Sequence, residues 1–192
     1  MMRAAIPLLL VLSACVLPAT AQDLSPKAPS SGSPPAAANQ ATPPFAIGGF
    51  TYHLIPPRTH MFDCSQPSCG AGSKVSYIFY TPKPGMTFDD YKASRAIVDE
   101  QIKSRIPAGM TLKNTPPTQI QDKMFTIFES RRIITAPDGR THVTVTRTLL
   151  TSTVQIELIS SGSDEKLVDS NLVQFTFAAM LVAASIGTPA KP

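Results

Sequence analysis

The segment Lys123–Leu150 reads KMFTIFESRRIITAPDGRTHVTVTRTLL and predicts two long β-strands joined by a tight turn. Apolar and polar residues alternate on both sides of Pro137-Asp138-Gly139, which is typical of a type I turn followed by a glycine in the left-handed conformation. Such a turn pairs Ala136 with Arg140 and thereby sets the register of the whole hairpin. The predicted strands cover Lys123–Thr135 and Thr141–Leu150.

This register predicts an ion pair across the hairpin. Glu129 falls opposite Arg147, on the more apolar face of the two strands. The other expected pairs on that face are Ile127 with Leu149, Arg131 with Val145, and Ile133 with Val143. We interpret Glu129 and Arg147 as a structural ion pair near the end of a sheet, and the alternative is that Arg147 binds a ligand.

Four basic side chains belong to the same hairpin, namely Arg131, Arg132, Arg140 and His142. Clustered cationic groups attract anions. We therefore regard these four residues as a candidate surface for anionic components of a cell envelope.

Shorter alternating segments predict further strands on either side of the hairpin. These strands are expected at Gly49–Ile55, Lys74–Thr81, Met110–Lys113 and Thr153–Ile159. The stretch from Met61 to Gly70 is expected to be a loop, because it is rich in proline, glycine and serine. Two adjacent prolines predict a turn at Asn114–Pro117.

Two helices are predicted, one before and one after this group of strands. The first begins at a capping box on Thr87 and ends near Ile106, and its apolar face contains Arg95, with Asp99 at the spacing of an i,i+4 pair. We expect the stem of Arg95 to lie on the core with its charge in water, and the alternative is a buried arginine that binds a ligand. The second runs over Asp164–Ala184 with Ser163 as its N-cap. Since its second half is apolar almost all round, we expect this helix to be buried against the sheet.

Hairpin-linked neighbours with helices packed on them indicate an α+β domain, built as an antiparallel sheet with two main helices. In this order of elements, with the extended start Leu54-Ile55-Pro56-Pro57, a helix after the second strand, a meander and a closing helix, the chain resembles the PsbP-like group, which includes DcrB-like envelope lipoproteins. The resemblance implies a PsbP-like sandwich and a non-enzymatic accessory or binding role in the envelope. It implies no functional residue for any position of this sequence.

The N-terminus predicts export. Met1-Met2-Arg3 precedes an apolar run and a small-residue site at Ala21, so residues 1–21 are expected to be a signal peptide that leaves a periplasmic or secreted protein. The alternative is a lipobox at Leu12-Ser13-Ala14-Cys15, with the protein anchored to the membrane through a lipidated Cys15. Residues 22–45 are rich in proline, alanine and serine and are expected to be a disordered linker, which leaves a single domain over residues 46–188.

Two cysteines, Cys64 and Cys69, remain in the mature chain. In an oxidising compartment we expect them to form a disulfide. The alternative is a zinc or copper site that uses His60 together with both cysteines, because soft sulfur and imidazole ligands suit these metals.

The composition excludes several classes of protein. Of the 192 residues 43% are hydrophobic and 16% are charged, and this apolar content is too high for a disordered chain. A mild net charge of +4, together with the export signal, argues against nucleic acid as a partner. No nucleophile, base and acid are arranged in a recognisable pattern, so we predict no catalytic residues and no cofactor. The expected partner is an envelope protein or a small ligand, and the sequence leaves the oligomeric state open.

Overall fold

The computed structural model of the protein describes residues 43–45 and 47–186. The signal segment, Cys15 and all but the end of the linker lie outside the described residues. The described part has seven strands and two helices, in the order β1 (Phe50–Ile55), β2 (Thr59–Cys64), β3 (Lys74–Tyr80), α1 (Phe88–Lys103), β4 (Thr111–Gln121), β5 (Thr126–Thr135), β6 (Thr141–Leu150), β7 (Gln155–Gly162) and α2 (Glu165–Ile186). A 3-10 turn, Pro67–Cys69, lies between β2 and β3.

All seven strands form one antiparallel sheet in the order β1-β2-β3-β7-β6-β5-β4, so β1 and β4 are its edges. Helix α2 packs on one face, chiefly over β7 and β6, and α1 packs on the opposite face over β4 and β5. The main core lies between α2 and the sheet. The molecule is therefore an α+β protein, as the sequence predicts.

The β5–β6 hairpin has the predicted register. The amide of Ala136 donates to the carbonyl of Arg140 at 2.8 Å, and Gly139 adopts a φ of +84°. Glu129 lies opposite Arg147, and the three predicted apolar-face pairs around them are also present. The turn therefore fixes which side chains face each helix.

Two regions differ from the sequence prediction. Part of the expected loop from Met61 to Gly70 belongs to β2, which ends at Cys64 and pairs with both β1 and β3. The expected turn at Asn114–Pro117 is instead the middle of the eleven-residue strand β4, whose register shifts between Thr115 and Thr118. Prolines lack the amide that a central strand needs, and an edge strand with a bulge accommodates them.

Helix α1 begins as predicted. The hydroxyl of Thr87 accepts from the amide of Asp90 at 3.1 Å, and the Asp90 carboxylate accepts from the Thr87 amide at 2.9 Å. The i,i+4 spacing of Arg95 and Asp99 forms no pair, because each side chain binds a strand residue instead. Arg95 lies 3.4 Å from Glu157, and Asp99 lies 3.2 Å from Arg132.

Helix α2 differs from the prediction at its start and on its outer face. Asp164, rather than Ser163, caps the helix, since its carboxylate accepts from the amide of Leu167 at 3.1 Å. The buried face carries Val168, Leu172, Phe175, Ala179 and Ala183. The opposite face is exposed and partly apolar, so the expectation of a helix buried all round is wrong.

By length and composition alone, Glu165–Ser185 is apolar enough to cross a bilayer, with a mean hydropathy of 1.5. In this fold 39% of its most apolar window is buried, because the helix lies against the sheet. Helices in the core of soluble proteins can be equally long and equally apolar.

Candidate functional site

The four residues of the candidate anion-binding surface do not share one face. Adjacent residues of a strand point to opposite sides, so Arg131 reaches α2 while Arg132 reaches α1. Arg131 binds Glu165 and Asp169, each at 2.6 Å, and Arg132 binds Asp99. Both guanidinium groups are mostly buried, with 19% and 12% of the side chains exposed.

The two remaining members of that set lie at the turn. Arg140 is exposed and binds Asp138 at 2.7 Å, and His142 is exposed on β6 beside it. The hypothesis of a single anionic-ligand surface on this hairpin is therefore corrected. Arg131 and Arg132 lie on opposite faces of the sheet, and all three arginines of the set bind carboxylates of the same chain.

The Glu129 and Arg147 side chains meet on the α2 face of the sheet. Arg147 donates to Oε2 of Glu129 from Nε at 3.0 Å and from Nη2 at 2.6 Å. Its Nη1 donates to the hydroxyl of Thr176 on α2 at 2.9 Å. Because Arg147 also donates a hydrogen bond to Thr176 on α2, the geometry agrees with a structural role for the ion pair.

Cys64 and Cys69 are joined by a disulfide, with their Cα atoms 5.9 Å apart. The amide side chain of the buried Asn171 on α2 donates to the carbonyl of Cys69 at 2.8 Å. The disulfide loop is thus attached to both β2 and α2.

The alternative metal site is not supported. Both sulfurs are used in the disulfide, and His60 lies four residues before Cys64 on the same strand, about 13 Å away. Among residues 43–45 and 47–186, no three histidine, cysteine or acidic side chains are grouped to hold a metal ion.

Replacing both cysteines by serine is expected to lower the free energy of unfolding by about 2 kcal/mol, because the crosslink no longer restricts the unfolded chain. Urea unfolding of Cys64→Ser/Cys69→Ser against the wild type measures the loss. Wild-type protein in reductant is the matched control and should lose the same amount. A loss confined to the serine variant would assign the effect to the substitutions rather than to the disulfide.

His60 belongs to an aromatic cluster. Its ring stacks on that of Tyr77 with the centroids 4.6 Å apart, and its Nδ1 lies 3.2 Å from the hydroxyl of Tyr52. Phe79 approaches the same ring edge-on at 6.5 Å. Burial in this cluster lowers the pKa of His60, because it disfavours the charged imidazolium.

This pKa shift predicts a pH dependence of stability. Because the folded state binds the His60 proton less readily than the unfolded state, the contribution is complete above the unfolded pKa of about 6.5 and is lost as the pH falls below it. We expect Tm to fall less between neutral pH and about pH 5 in His60→Phe than in the wild type. Equal falls in the two proteins, measured by circular dichroism, would contradict this assignment.

A surface that the sequence reasoning missed lies along the outer face of α2. Val173, Phe177 and Leu181 recur every four residues, and 58%, 66% and 60% of these residues are exposed. Residues at this spacing lie on one side of a helix. They form an apolar stripe about 12 Å long, measured at 1.5 Å per residue.

The stripe begins on the β5–β4 side of α2 at Val173 and turns at Phe177 and Leu181 onto the face that points away from the sheet. Asp169 and Thr176 bind arginines of β5 and β6 and so mark that side of the helix. At 100° per residue, Val173 and Phe177 are the next positions outward from these two. On the opposite side of α2, Asn171 binds the disulfide loop.

Beyond the stripe, the sheet exposes further apolar side chains near its β4 edge. Ile120 on β4 pairs with Ile127, which belongs to the core beneath α2, and Ile120 is 60% exposed. Met124, in the β4–β5 turn, is 76% exposed. We name as the α2–β4 surface the set Val173, Phe177, Leu181, Ile120 and Met124.

Exposed lysines surround the α2–β4 surface. Lys113 lies on the same face of β4, Lys123 precedes Met124, and Lys166 is in the first turn of α2 on the side of the stripe. No ion pair formed within the described part of the chain involves any of the three. Carboxylates balance these lysines, because Asp122 precedes Lys123, Asp164 lies two residues before Lys166, and Glu165 and Asp169 share the single cation of Arg131.

One signal in the sequence could have identified the outer face of α2. Ser170, Gln174 and Ser185 are polar, recur near helical spacing and are exposed. They share the run with two buried polar residues, Asn171 and Thr176, so polarity alone marks the side that meets water only in part. The apolar residues between them carry the stripe.

No protein-family model matches the chain, and no curated protein matches its sequence. Among solved structures, the chain is similar to PsbP (CyanoP) of Synechocystis sp. PCC 6803, with 10% identity and a TM-score of 0.48 over 70% of this chain and 81% of that chain. It is also similar to the Ran-binding protein Mog1p of Saccharomyces cerevisiae, with 9% identity and a TM-score of 0.42 over 67% of this chain and 75% of that chain. A PsbP is thus among the structures that this chain resembles, and the likeness concerns the arrangement of strands and helices alone.

Proposed function

We propose that this protein is exported to the bacterial cell envelope and has a non-enzymatic binding or accessory role there. The observation that carries the proposal is the α2–β4 surface, whose five large apolar side chains are exposed. Three of them, Val173, Phe177 and Leu181, follow one another along the outer face of α2, and grouped exposed apolar side chains mark interaction sites more often than isolated ones do. The signal-like segment of residues 1–21 supports export.

Four arginines of the described residues serve the fold rather than a catalytic site. Arg95, Arg131, Arg132 and Arg147 all bind carboxylates of the same chain. The pairs link α1 and α2 to the sheet, and this use of the charges stabilises the fold. A catalytic acid or base needs instead to reach a substrate.

Intact-mass spectrometry of the protein purified from its native envelope tests the export part of this proposal. We expect a chain that begins at Gln22 and gains 2 Da on reduction, the mass of the two hydrogens taken up when the disulfide is reduced. A diacylated chain that begins at Cys15 would also support an envelope role, in a protein anchored to the membrane. An unprocessed chain that begins at Met1, recovered from the cytoplasm, would overturn it.

Site-specific photo-crosslinking in cells tests the binding part. A photoreactive amino acid at Phe177 should form crosslinks to an envelope component. The matched control is Ile97 on α1, which is equally exposed at 62% but lies on the opposite face of the sheet. Equal yields at the two positions would refute a binding role for the α2–β4 surface.

A further inference from the structure

We propose that two copies of this protein pair through their β1 strands, so that the two sheets continue into each other as antiparallel strands around a twofold axis. The inference goes beyond the proposed binding role, because β1 is the edge of the sheet opposite to β4 and the pairing does not use the α2–β4 surface. It commits to a second copy of the chain rather than to a peptide of another protein.

The outer edge of β1 has no protection against pairing. Among the described residues only β2 pairs with β1, and the register between them is continuous over Phe50–Ile55. In an antiparallel pair, alternate residues direct their amide and carbonyl groups to the neighbouring strand, so half of the β1 residues direct these groups outward. The strand contains no proline, lysine, arginine or acidic residue, and such residues normally prevent an exposed edge from pairing.

The opposite edge of the sheet carries the protection that β1 lacks. Pro116 and Pro117 lie in the middle of β4, and they supply no amide for a further strand. The register of β4 shifts between Thr115 and Thr118, and Lys113 adds a charge to the same strand. Irregularities and lysines of this kind disfavour edge pairing. The comparison therefore assigns pairing to β1 and not to β4.

The core holds β1 in place for pairing. The ring of Phe50 contacts that of Phe175 on α2 at a centroid distance of 5.2 Å, and the ring of Tyr52 contacts that of Phe62 at 5.3 Å. Phe50 and Tyr52 thereby anchor the strand to the main core. Because β1 is already ordered in a single copy, pairing costs little conformational entropy.

The edge of β1 is compatible with its own copy. With the twofold axis perpendicular to the sheet at Tyr52, this residue faces the same residue of the other copy. Phe50 then faces Leu54, and Thr51 faces His53, so aromatic, aliphatic and polar side chains meet without like charges. The two copies of Arg58, which lies in the turn after β1, are at opposite ends of the paired strands.

A second folded copy suits this edge better than an isolated peptide does. Domains that bind peptides by strand addition also supply pockets for alternate side chains of the peptide. Helix α2 packs chiefly over β7 and β6, and α1 packs over β4 and β5, so neither helix forms a groove beside β1. A second copy brings its own packed sheet and needs no such groove.

Sedimentation velocity over a wide range of protein concentration tests the pairing. The processed protein carries Cys15→Ser, so that no acyl chain contributes to association. We expect a dimer that forms as the concentration rises, because a six-residue edge is smaller than the about 800 Å² per partner of a stable interface.

Thr51→Lys/His53→Lys should weaken this dimer by at least about tenfold, because the introduced lysines face each other across the twofold axis. Both residues are exposed, and a lysine at position 53 keeps a cation beside Asp63, so the single copy should still fold. The matched control is Gln119→Lys/Gln121→Lys, which adds the same charge to exposed positions of β4 and should not affect the dimer.

Amide hydrogen exchange locates the interface within the dimer. The β1 amides that point away from β2 should exchange more slowly at high protein concentration than at low, because pairing supplies them with acceptors. The reduction should follow the fraction of dimer seen by sedimentation. Amides of β4 should exchange at the same rate at both concentrations.

Three results would overturn the inference. The first is a folded wild-type protein that stays monomeric at every concentration. The second is a dimer in which exchange of the β1 amides does not change, or which Gln119→Lys/Gln121→Lys weakens as much as Thr51→Lys/His53→Lys does. The third is a dimer that Phe177→Ser/Leu181→Ser dissociates and the β1 variant does not, which would assign self-association to the outer face of α2.

Discussion

Phe175→Ala is expected to lower the free energy of unfolding by about 3–5 kcal/mol, the largest effect of any substitution considered for this protein. Phe175 is fully buried, and its ring contacts those of Phe62, Phe50 and Phe45 at centroid distances of 5.0, 5.2 and 5.9 Å. Truncation to alanine leaves a cavity beneath α2 and removes all three ring contacts. Since domains of this size are stable by about 5–15 kcal/mol, the variant approaches the limit of folding.

The matched control is Phe177→Ala, two residues further along the same helix. Phe177 is 66% exposed, so its loss should change stability by about 0.5 kcal/mol or less. Urea unfolding followed by circular dichroism measures both variants. Similar losses in the two would show that α2 does not pack on the sheet through the face described.

Phe45 extends this core beyond its expected limit. It lies at the predicted boundary between linker and domain, yet its ring stacks on Tyr77 at 4.5 Å. A composition shift locates the end of a linker only approximately, because it averages over several residues. Single aromatic residues next to a proline-rich stretch can therefore belong to the core.

The elements whose geometry depends on a few adjacent residues could be predicted from the sequence. Pro137-Asp138-Gly139 sets one turn geometry, and that geometry sets every pair of the β5–β6 hairpin. The capping box at Thr87 likewise places the start of α1. In both cases a few adjacent residues contain the whole signal.

Other elements depend on partners distant in sequence. The strand β2 carries histidine, aspartate and cysteine beside glycine-rich and serine-rich residues, and it exists because β1 and β3 supply its hydrogen bonds. The strand β4 passes through Pro116 and Pro117, which normally predict a turn. Only its position at the edge of the sheet makes these prolines acceptable.

The candidate site could not be predicted, for a similar reason. Adjacent arginines suggested one basic patch, but their alternation along β5 sends Arg131 and Arg132 to different helices. Conversely, the apolar sequence of α2 suggested complete burial. An apolar helix stays exposed on the face that the sheet does not cover. Helix α2 lies mainly over β7 and β6, so its outer face remains in contact with water.

Breaking the ion pair between Glu129 and Arg147 is expected to have the second largest effect on the free energy of unfolding. Arg147→Met is expected to lower the free energy of unfolding by about 2–3 kcal/mol, because it leaves the carboxylate of Glu129, only 25% exposed, without its counterion. Glu129→Leu should have a comparable cost, since it leaves the guanidinium of Arg147, 17% exposed, with only the hydroxyl of Thr176.

Combining Glu129→Leu with Arg147→Met should restore most of the stability lost in the single variants, because two apolar side chains of similar size can replace a buried ion pair at little net cost. A double-mutant cycle by urea unfolding measures this coupling. If the two losses simply add, the residues do not act as a pair.

The double variant also separates the two interpretations of Arg147, because a structural pair can be replaced without changing binding at the α2–β4 surface, whereas a ligand-binding arginine cannot. We therefore expect the double variant to fold and to form the same crosslinks from position 177 as the wild-type background does.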